Sequence, residues 1–186
     1  MGRLRIRFTI GLVLMAALVG VQSTASGLSA NSASSGEGYF APASALAERR
    51  AVVPMAASTP IHAGSCYYRQ AVDTPHISST SISRAAQSHG WWVNAGGACP
   101  SKSNVDVYLQ AVYCSGGTCG WRTVDVRSGD VYAGGGKGKR VTAHKGCSGT
   151  ATVGFRSYVD VDLIGMNDPA GFTYSTPVDL ACYPSK

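Results

Sequence analysis

The chain has 186 residues, of which 45% are hydrophobic and 14% are charged, and its formal net charge is +6. This length allows one hydrophobic core of ordinary domain size. The positive charge is dispersed apart from the sequence GKGKR at 136–140, so we expect no nucleic-acid partner, which would require a dense basic patch.

The first 30 residues predict a secretory signal peptide. Three arginines lie within residues 3–7, an apolar stretch follows at about 8–21, and small residues allow cleavage near 25 or 30. The apolar stretch is short for a membrane span, so export is preferred over an N-terminal anchor. Loss of these arginines lowers the net charge from +6 to about +3. No later stretch is apolar enough to predict a transmembrane span.

Residues 31–64 are rich in Ala, Ser, Gly and Pro and show no sustained hydrophobic period. Such a segment buries too little surface to offset the entropy lost on ordering, so it predicts a disordered linker or pro-segment. The pair Arg49-Arg50 is either a processing site or solvated charge. A folded domain is then expected over 65–186.

Apolar and polar residues alternate along 105–113 and again along 153–163. Successive side chains of a strand point to opposite faces, so both segments predict strands with one buried and one exposed side. The pattern also predicts a short helix at 82–90 and a turn at the Ser-Gly-Asp sequence 128–130. Further strands are predicted at 90–96, 121–127, 131–133, 140–145 and 178–184. Short strands joined by glycine-rich turns predict an all-β fold, either an antiparallel β-sandwich or a small barrel.

Six cysteines in an exported chain predict three disulfide bonds, although six cysteines allow 15 pairings. The Gly116-Gly117 pair predicts a tight turn that places Cys114 opposite Cys119. For the remaining four, we prefer Cys66–Cys99 and Cys147–Cys182. The alternative of a zinc site lacks suitable ligand spacing, and we predict neither a metal nor a cofactor.

Asp160 and Asp162 alternate with Val159, Val161 and Leu163. The two carboxylates lie about 7 Å apart along a strand, which suits a glycosidase pair or part of a calcium site. The sequence shows neither an apolar pocket that would keep one acid protonated nor an acidic calcium loop. We therefore interpret both residues as solvent-facing carboxylates of a strand.

One hydrolase hypothesis remains open. The sequence lacks the G-x-S-x-G motif, and the predicted disulfides leave no thiol nucleophile. His144, on a predicted strand beside glycine-rich loops, is the one histidine that we consider as a general base. It would act with Asp160 or Asp162.

Pairing of the two alternating strands would gather polar and tyrosine side chains on one face. The predicted binding residues on this face are Tyr108, Gln110, Arg156, Tyr158 and Asp160, with Asp106 and Asp162 nearby. Tyrosine suits binding surfaces because its ring supplies contact area without full burial, and sugar faces stack on aromatic rings. The alternative is that both tyrosines only cover the sheet.

Several segments resemble small secreted proteins of high-GC Gram-positive bacteria. These are GWWVNAGGACPSKSNVDVYLQAVYC, WRTVDV, VYAGGGKGKRV and FRSYVDVDLIGMNDP, which together cover about half of the chain. The resemblance implies export and no particular activity. The sequence thus predicts a secreted, non-catalytic β-domain that binds an extracellular protein or glycan of the cell wall or envelope, with the hydrolase as the alternative.

Overall fold

The alternating segment at 105–113 forms a strand whose apolar side is buried. The computed structural model describes residues 37–46, 59–79 and 83–186. Val105, Val107 and Leu109 are fully buried, whereas the residues between them are partly exposed. The predicted strand is therefore confirmed. The segment at 153–163 behaves in the same way from Phe155 onward, whereas Gly154, expected on the exposed side, is buried.

All strand pairs in the part of the chain that the structure describes are antiparallel. A single-turn 3-10 helix at Ala43–Ala45 follows the first strand. The strands are β1 (Tyr39–Phe40), β2 (Ile61–Ala63), β3 (Cys66–Val72), β4 (His76–Ile77), β5 (Ala85–Gly97), β6 (Lys102–Ser115), β7 (Thr118–Tyr132), β8 (Val141–Leu163), β9 (Thr173–Tyr174) and β10 (Val178–Pro184).

The long strand β8 connects two parts of the sheet. Its residues 141–146 pair with β5, and its residues 155–163 pair with β6. Strand β3 pairs with β5 and with β2, whereas β7 and β1 pair with β6. Within the described residues, the strands form one curled ten-stranded antiparallel sheet. The predicted all-β antiparallel class is confirmed.

Gly90 marks the place where the two parts of the sheet meet. A Cβ atom at this position would lie 2.5 Å from Val107 Cγ2 and 2.8 Å from Val159 Cγ2. The valines of β6 and β8 therefore pack directly against the backbone of β5. Nearby, Trp92 is fully buried, and its indole N–H donates to the carbonyl oxygen of Val131 at 2.9 Å. The main core lies between these strands.

Three disulfide bonds connect the predicted cysteine pairs. They are Cys66–Cys99, Cys114–Cys119 and Cys147–Cys182. The first and third link residues that are 33 and 35 positions apart in the chain, whereas the second links residues only five positions apart. The predicted connectivity is confirmed for all three.

Two local predictions were wrong. Residues 85–90 belong to β5 and not to a helix, because they pair with β8 on one side and with β4 on the other. The sequence 128–130 continues β7 and does not form a turn. Gly129 pairs with Val105, and a Cβ atom there would come within 3.2 Å of Val141. Its glycine thus permits close packing within a continuous strand.

The fold also includes part of the segment predicted to be disordered. Strand β1 pairs with β6, and β2 pairs with β3, so the ordered domain is not confined to 65–186. Ala41 is buried together with Val112, whose carbonyl oxygen accepts from the Ala41 N–H at 3.0 Å. Val112, which alternation placed on the polar side, is buried because this segment covers it. The predicted signal peptide and Arg49-Arg50 lie outside the described residues.

Candidate functional site

The register between β6 and β8 brings the predicted binding residues together. Tyr108 pairs with Tyr158, Gln110 pairs with Arg156, and Asp106 pairs with Asp160. Directly opposed residues of neighbouring strands present their side chains on the same face of the sheet. All five residues therefore lie on one surface, while their role in binding stays a prediction.

Aromatic rings form a row across three strands of this surface. The rings of Tyr108 and Tyr158 stack with centroids 4.3 Å apart and planes 6° from parallel. Tyr174 on β9 pairs with Tyr158, and their ring centroids lie 5.2 Å apart. Phe172 meets the Tyr158 ring edge-on, also at 5.2 Å. On the other side, Val126 of β7 pairs with Tyr108. We call these five residues the aromatic face.

Exposure is greatest at the ends of the aromatic face. Phe172 is 54% exposed, Tyr174 is 43% exposed and Val126 is 42% exposed, whereas the stacked rings of Tyr108 and Tyr158 cover each other. A ligand would therefore touch mainly Phe172 and Tyr174, which sequence reasoning missed. The available signal was the alternation in 172–175, where Thr173 and Ser175 are buried.

A positive charge lies along one side of the aromatic face. The Arg156 guanidinium lies 4.6 Å from the centroid of the Trp121 ring and 4.9 Å from that of Tyr174. Its Nε–H donates to Gln110 Oε1 at 2.8 Å, and the Gln110 amide donates to Thr123 Oγ1 at 3.2 Å. These contacts hold the Arg156 side chain in one orientation beside exposed rings.

Carboxylates lie along the opposite side of the aromatic face. Burial, together with the charge of Asp162, raises the pKa of Asp160, and burial together with Asp168 raises the pKa of Asp162. Among the described residues, the Asp106 Oδ1 atom is buried and has no hydrogen-bond partner. A ligand that donates hydrogen bonds to these carboxylates would stabilise their ionised form.

Burial also raises the pKa of Tyr108 and of Tyr158, with a further contribution to Tyr108 from the charge of Asp106. Both phenol groups therefore stay protonated at neutral pH. The surface combines hydroxyl groups that donate and accept, carboxylates that accept and a guanidinium that donates.

The residues of the hydrolase hypothesis show no direct contact. His144 is exposed, and its backbone N–H donates to Asp125 Oδ2 at 2.9 Å. Within the described ranges, neither a hydrogen bond nor an ion pair joins His144 to Asp160 or Asp162. The hypothesis stays a prediction that no contact supports.

Within the part of the chain that the structure describes, no helix has the length and apolar character that crossing a bilayer requires. Comparisons with protein-family models, with curated proteins and with solved structures found no match for this chain.

Proposed function

We propose that this chain is a secreted, non-catalytic β-domain that binds an extracellular glycan through the aromatic face. The observation that carries the proposal is the row of partly exposed rings between Arg156 on one side and Asp160 on the other. The three disulfides support an oxidising compartment, such as the outside of the cell. Export through the N-terminal segment belongs to the proposal.

The chemistry of a sugar matches this arrangement. The C–H groups of a pyranose ring form an apolar face, which packs against aromatic rings such as Phe172 and Tyr174. Its hydroxyl groups both donate and accept, so they can bond to carboxylates on one side and to a guanidinium or phenol on the other. A shallow, partly apolar surface of this kind suits one face of an extended polysaccharide.

A protein partner would use the same surface differently. A stable protein interface buries roughly 800 Å² on each partner and has an apolar centre with charges at its rim. Here charged groups lie directly against the rings, because Arg156 is stacked on both Trp121 and Tyr174. The position of these charges favours a ligand rich in hydroxyl groups over a protein partner.

A sedimentation assay on insoluble bacterial cell wall tests the proposal. One wall sample is treated with protease, and a second is treated with protease and then with a muramidase that cleaves the glycan. We expect the disulfide-bonded protein to sediment with the first sample and to remain in solution with the second. Binding that protease treatment abolishes would identify a protein partner and reject the glycan. Absence of binding to all wall samples, including untreated wall, would also reject it.

Matched variants locate the binding surface. The double variant Phe172→Ala/Tyr174→Ala should bind the protease-treated wall about tenfold more weakly or worse, because truncation of aromatic side chains that contact a ligand costs on the order of 1–2 kcal/mol or more. Tyr67→Ala removes a ring of similar exposure, 41%, from β3 and should bind normally. Equal binding by both variants would exclude the aromatic face.

A further inference from the structure

Two histidines and an aspartate that do not belong to the aromatic face come close together in space. Asp73 follows β3, His76 begins β4 and His89 lies in β5. One potential ligand atom from each of the three residues lies within 4.8 Å of the other two. The pairing of His76 with Gln87 places His76 beside β5, and the Asp73 N–H donates to the His89 carbonyl oxygen at 3.0 Å. Neither the proposed function nor the disulfides use these residues.

Hydrogen bonds orient both imidazole rings. The His76 Nδ1–H donates to the carbonyl oxygen of Thr74 at 3.1 Å, which leaves the lone pair on Nε2. His89 Nδ1 lies 2.7 Å from the Thr142 hydroxyl, which can accept a hydrogen bond in the same manner. Histidines that bind metals commonly donate their second ring N–H to an oxygen in this way, which fixes the tautomer.

The Asp73 carboxylate is held from one side. Its Oδ1 accepts from the Ser88 hydroxyl at 2.9 Å and from the His89 backbone N–H at 2.6 Å. Ser88 Oγ in turn lies 2.6 Å from Ser157 Oγ in the interior. Both hydrogen bonds go to the same oxygen, so Oδ2 remains to face a cation.

The three residues line an open cleft of about 450 Å³ together with Gln87, Arg140 and Thr142. We propose that Asp73, His76 and His89 bind one zinc ion through these side chains, with the fourth coordination position open to the cleft. Imidazole with a carboxylate is a ligand set that suits zinc, whereas calcium and magnesium prefer oxygen ligands throughout.

Binding requires a small rearrangement. Zinc–nitrogen bonds of about 2.0–2.1 Å place the ligand atoms of a tetrahedral site roughly 3.3 Å apart. The group therefore contracts by about 1.5 Å or less from its limit of 4.8 Å. The Gln87 amide nitrogen, which lies 3.0 Å from His76 Nε2, gives up that contact to the metal. Arg140 lines the same cleft and opposes a cation, so its removal should strengthen binding.

Isothermal titration of zinc chloride into the full disulfide-bonded chain tests the proposal. The protein must be free of chelator and of any polyhistidine tag. We expect one zinc ion per chain, and we expect His76→Ala to weaken binding by at least about 100-fold, because even an outer partner of a metal ligand is worth 10- to 100-fold. The histidines outside the cluster supply matched controls, so His62→Ala and His144→Ala should bind as the unchanged chain does.

Three further measurements test the site independently. Thr142→Val should weaken binding by about 10- to 100-fold through loss of the outer hydrogen bond, while Arg140→Gln should strengthen it. Cobalt(II), added in place of zinc, should give the intense visible absorption of a four-coordinate ion, and His76→Ala should abolish it. Absence of zinc binding, or zinc binding that His76→Ala leaves unchanged, would overturn the proposal. Neither result would bear on glycan binding, which is measured without metal.

Discussion

Tyr108 on β6 and Tyr158 on β8 stack as directly paired residues, with ring centroids 4.3 Å apart and planes 6° from parallel. The stack has a structural consequence as well as a proposed functional one. Each ring shields one face of the other from water and leaves Phe172 and Tyr174 as the outer contacts of the aromatic face. The same pair therefore supports the sheet and positions the rings proposed to touch a ligand.

The first prediction concerns the energy of this stack. Tyr108→Ala and Tyr158→Ala should each lower the free energy of unfolding. In a double-mutant cycle, the two changes should couple by about 0.5–1.5 kcal/mol, the range for aromatic pairs. Urea denaturation of the disulfide-bonded chain measures the coupling. A cycle between Tyr108 and Tyr67 on β3 is the control and should give none. Equal values in both cycles would contradict a direct ring contact.

The second prediction concerns the pH dependence of stability. Burial raises the pKa of Asp160, with the charge of Asp162 adding to the effect, so the folded state holds this proton more tightly than the unfolded state does. The resulting stabilisation is present below the ordinary pKa of 3.8 and is lost as the pH rises through the higher folded pKa. At neutral pH, the ionised side chain therefore destabilises the fold.

Asp160→Asn removes this charge, and its amide oxygen can still accept the Val161 N–H. At pH 7, we expect the variant to unfold at a higher temperature than the unchanged chain. The gain in the free energy of unfolding should be below about 1 kcal/mol, because the group is partly exposed. The difference should shrink towards pH 3 as the wild-type carboxyl group becomes protonated. A difference that grows on acidification would contradict the raised pKa.

The third prediction concerns the contact at Gly90. Gly90→Ala should destabilise the chain by about 1–3 kcal/mol or more, because the methyl group would overlap Val107 and Val159 in a packed core. Gly120 on β7 is the matched control, since nothing lies within 4 Å of a Cβ atom there. Gly120→Ala should leave stability unchanged or raise it by about 0.5 kcal/mol. Equal effects at the two glycines would show that close packing at Gly90 is unimportant.

The fourth prediction compares two disulfides. Cys147 and Cys182 are 35 residues apart, whereas Cys114 and Cys119 are five residues apart. Constraint of the unfolded chain predicts about 4 kcal/mol for the longer loop and about 2 kcal/mol for the shorter one. Denaturation of the two Cys→Ala double variants measures both losses. A larger loss from the short loop would contradict this entropic account.

Much of the central sheet could be predicted from sequence, because β6 and the end of β8 each bury every second residue. Val105 and Val161 are fully buried, and the polar residues between the buried positions point outward. Their pairing puts Tyr108 and Tyr158 on one face, as expected, and the register places the two residues directly opposite each other. The disulfides could be predicted in part, since the glycine turn suggested Cys114–Cys119.

Other features depend on contacts between distant segments. Strand β5 begins with Ala, Ala, Gln and Ser, which carry little strand preference, and it is extended because β4 and β8 supply hydrogen bonds on both sides. Strand β9 has two residues and carries one ring, that of Tyr174, so the only signal for it was the short alternation over 172–175. In the sequence, the cysteines and the paired aspartates are the groups with metal-ligand spacing to consider. The proposed zinc ligands gave no signal in the sequence, because the β4–β5 pairing places His76 and hydrogen bonds between Asp73 and His89 place the other two.

Strand β8 donates and accepts backbone hydrogen bonds along both parts of the sheet, with β5 near its start and β6 near its end. When β8 unfolds, β5 and β6 each lose a hydrogen-bonded neighbour. Neither part of the sheet can therefore unfold while the other stays intact. The chain should therefore unfold in one cooperative calorimetric transition. Amide protons of the buried part of β8 that pairs with β6, residues 155–161, should exchange with solvent only when the whole domain opens.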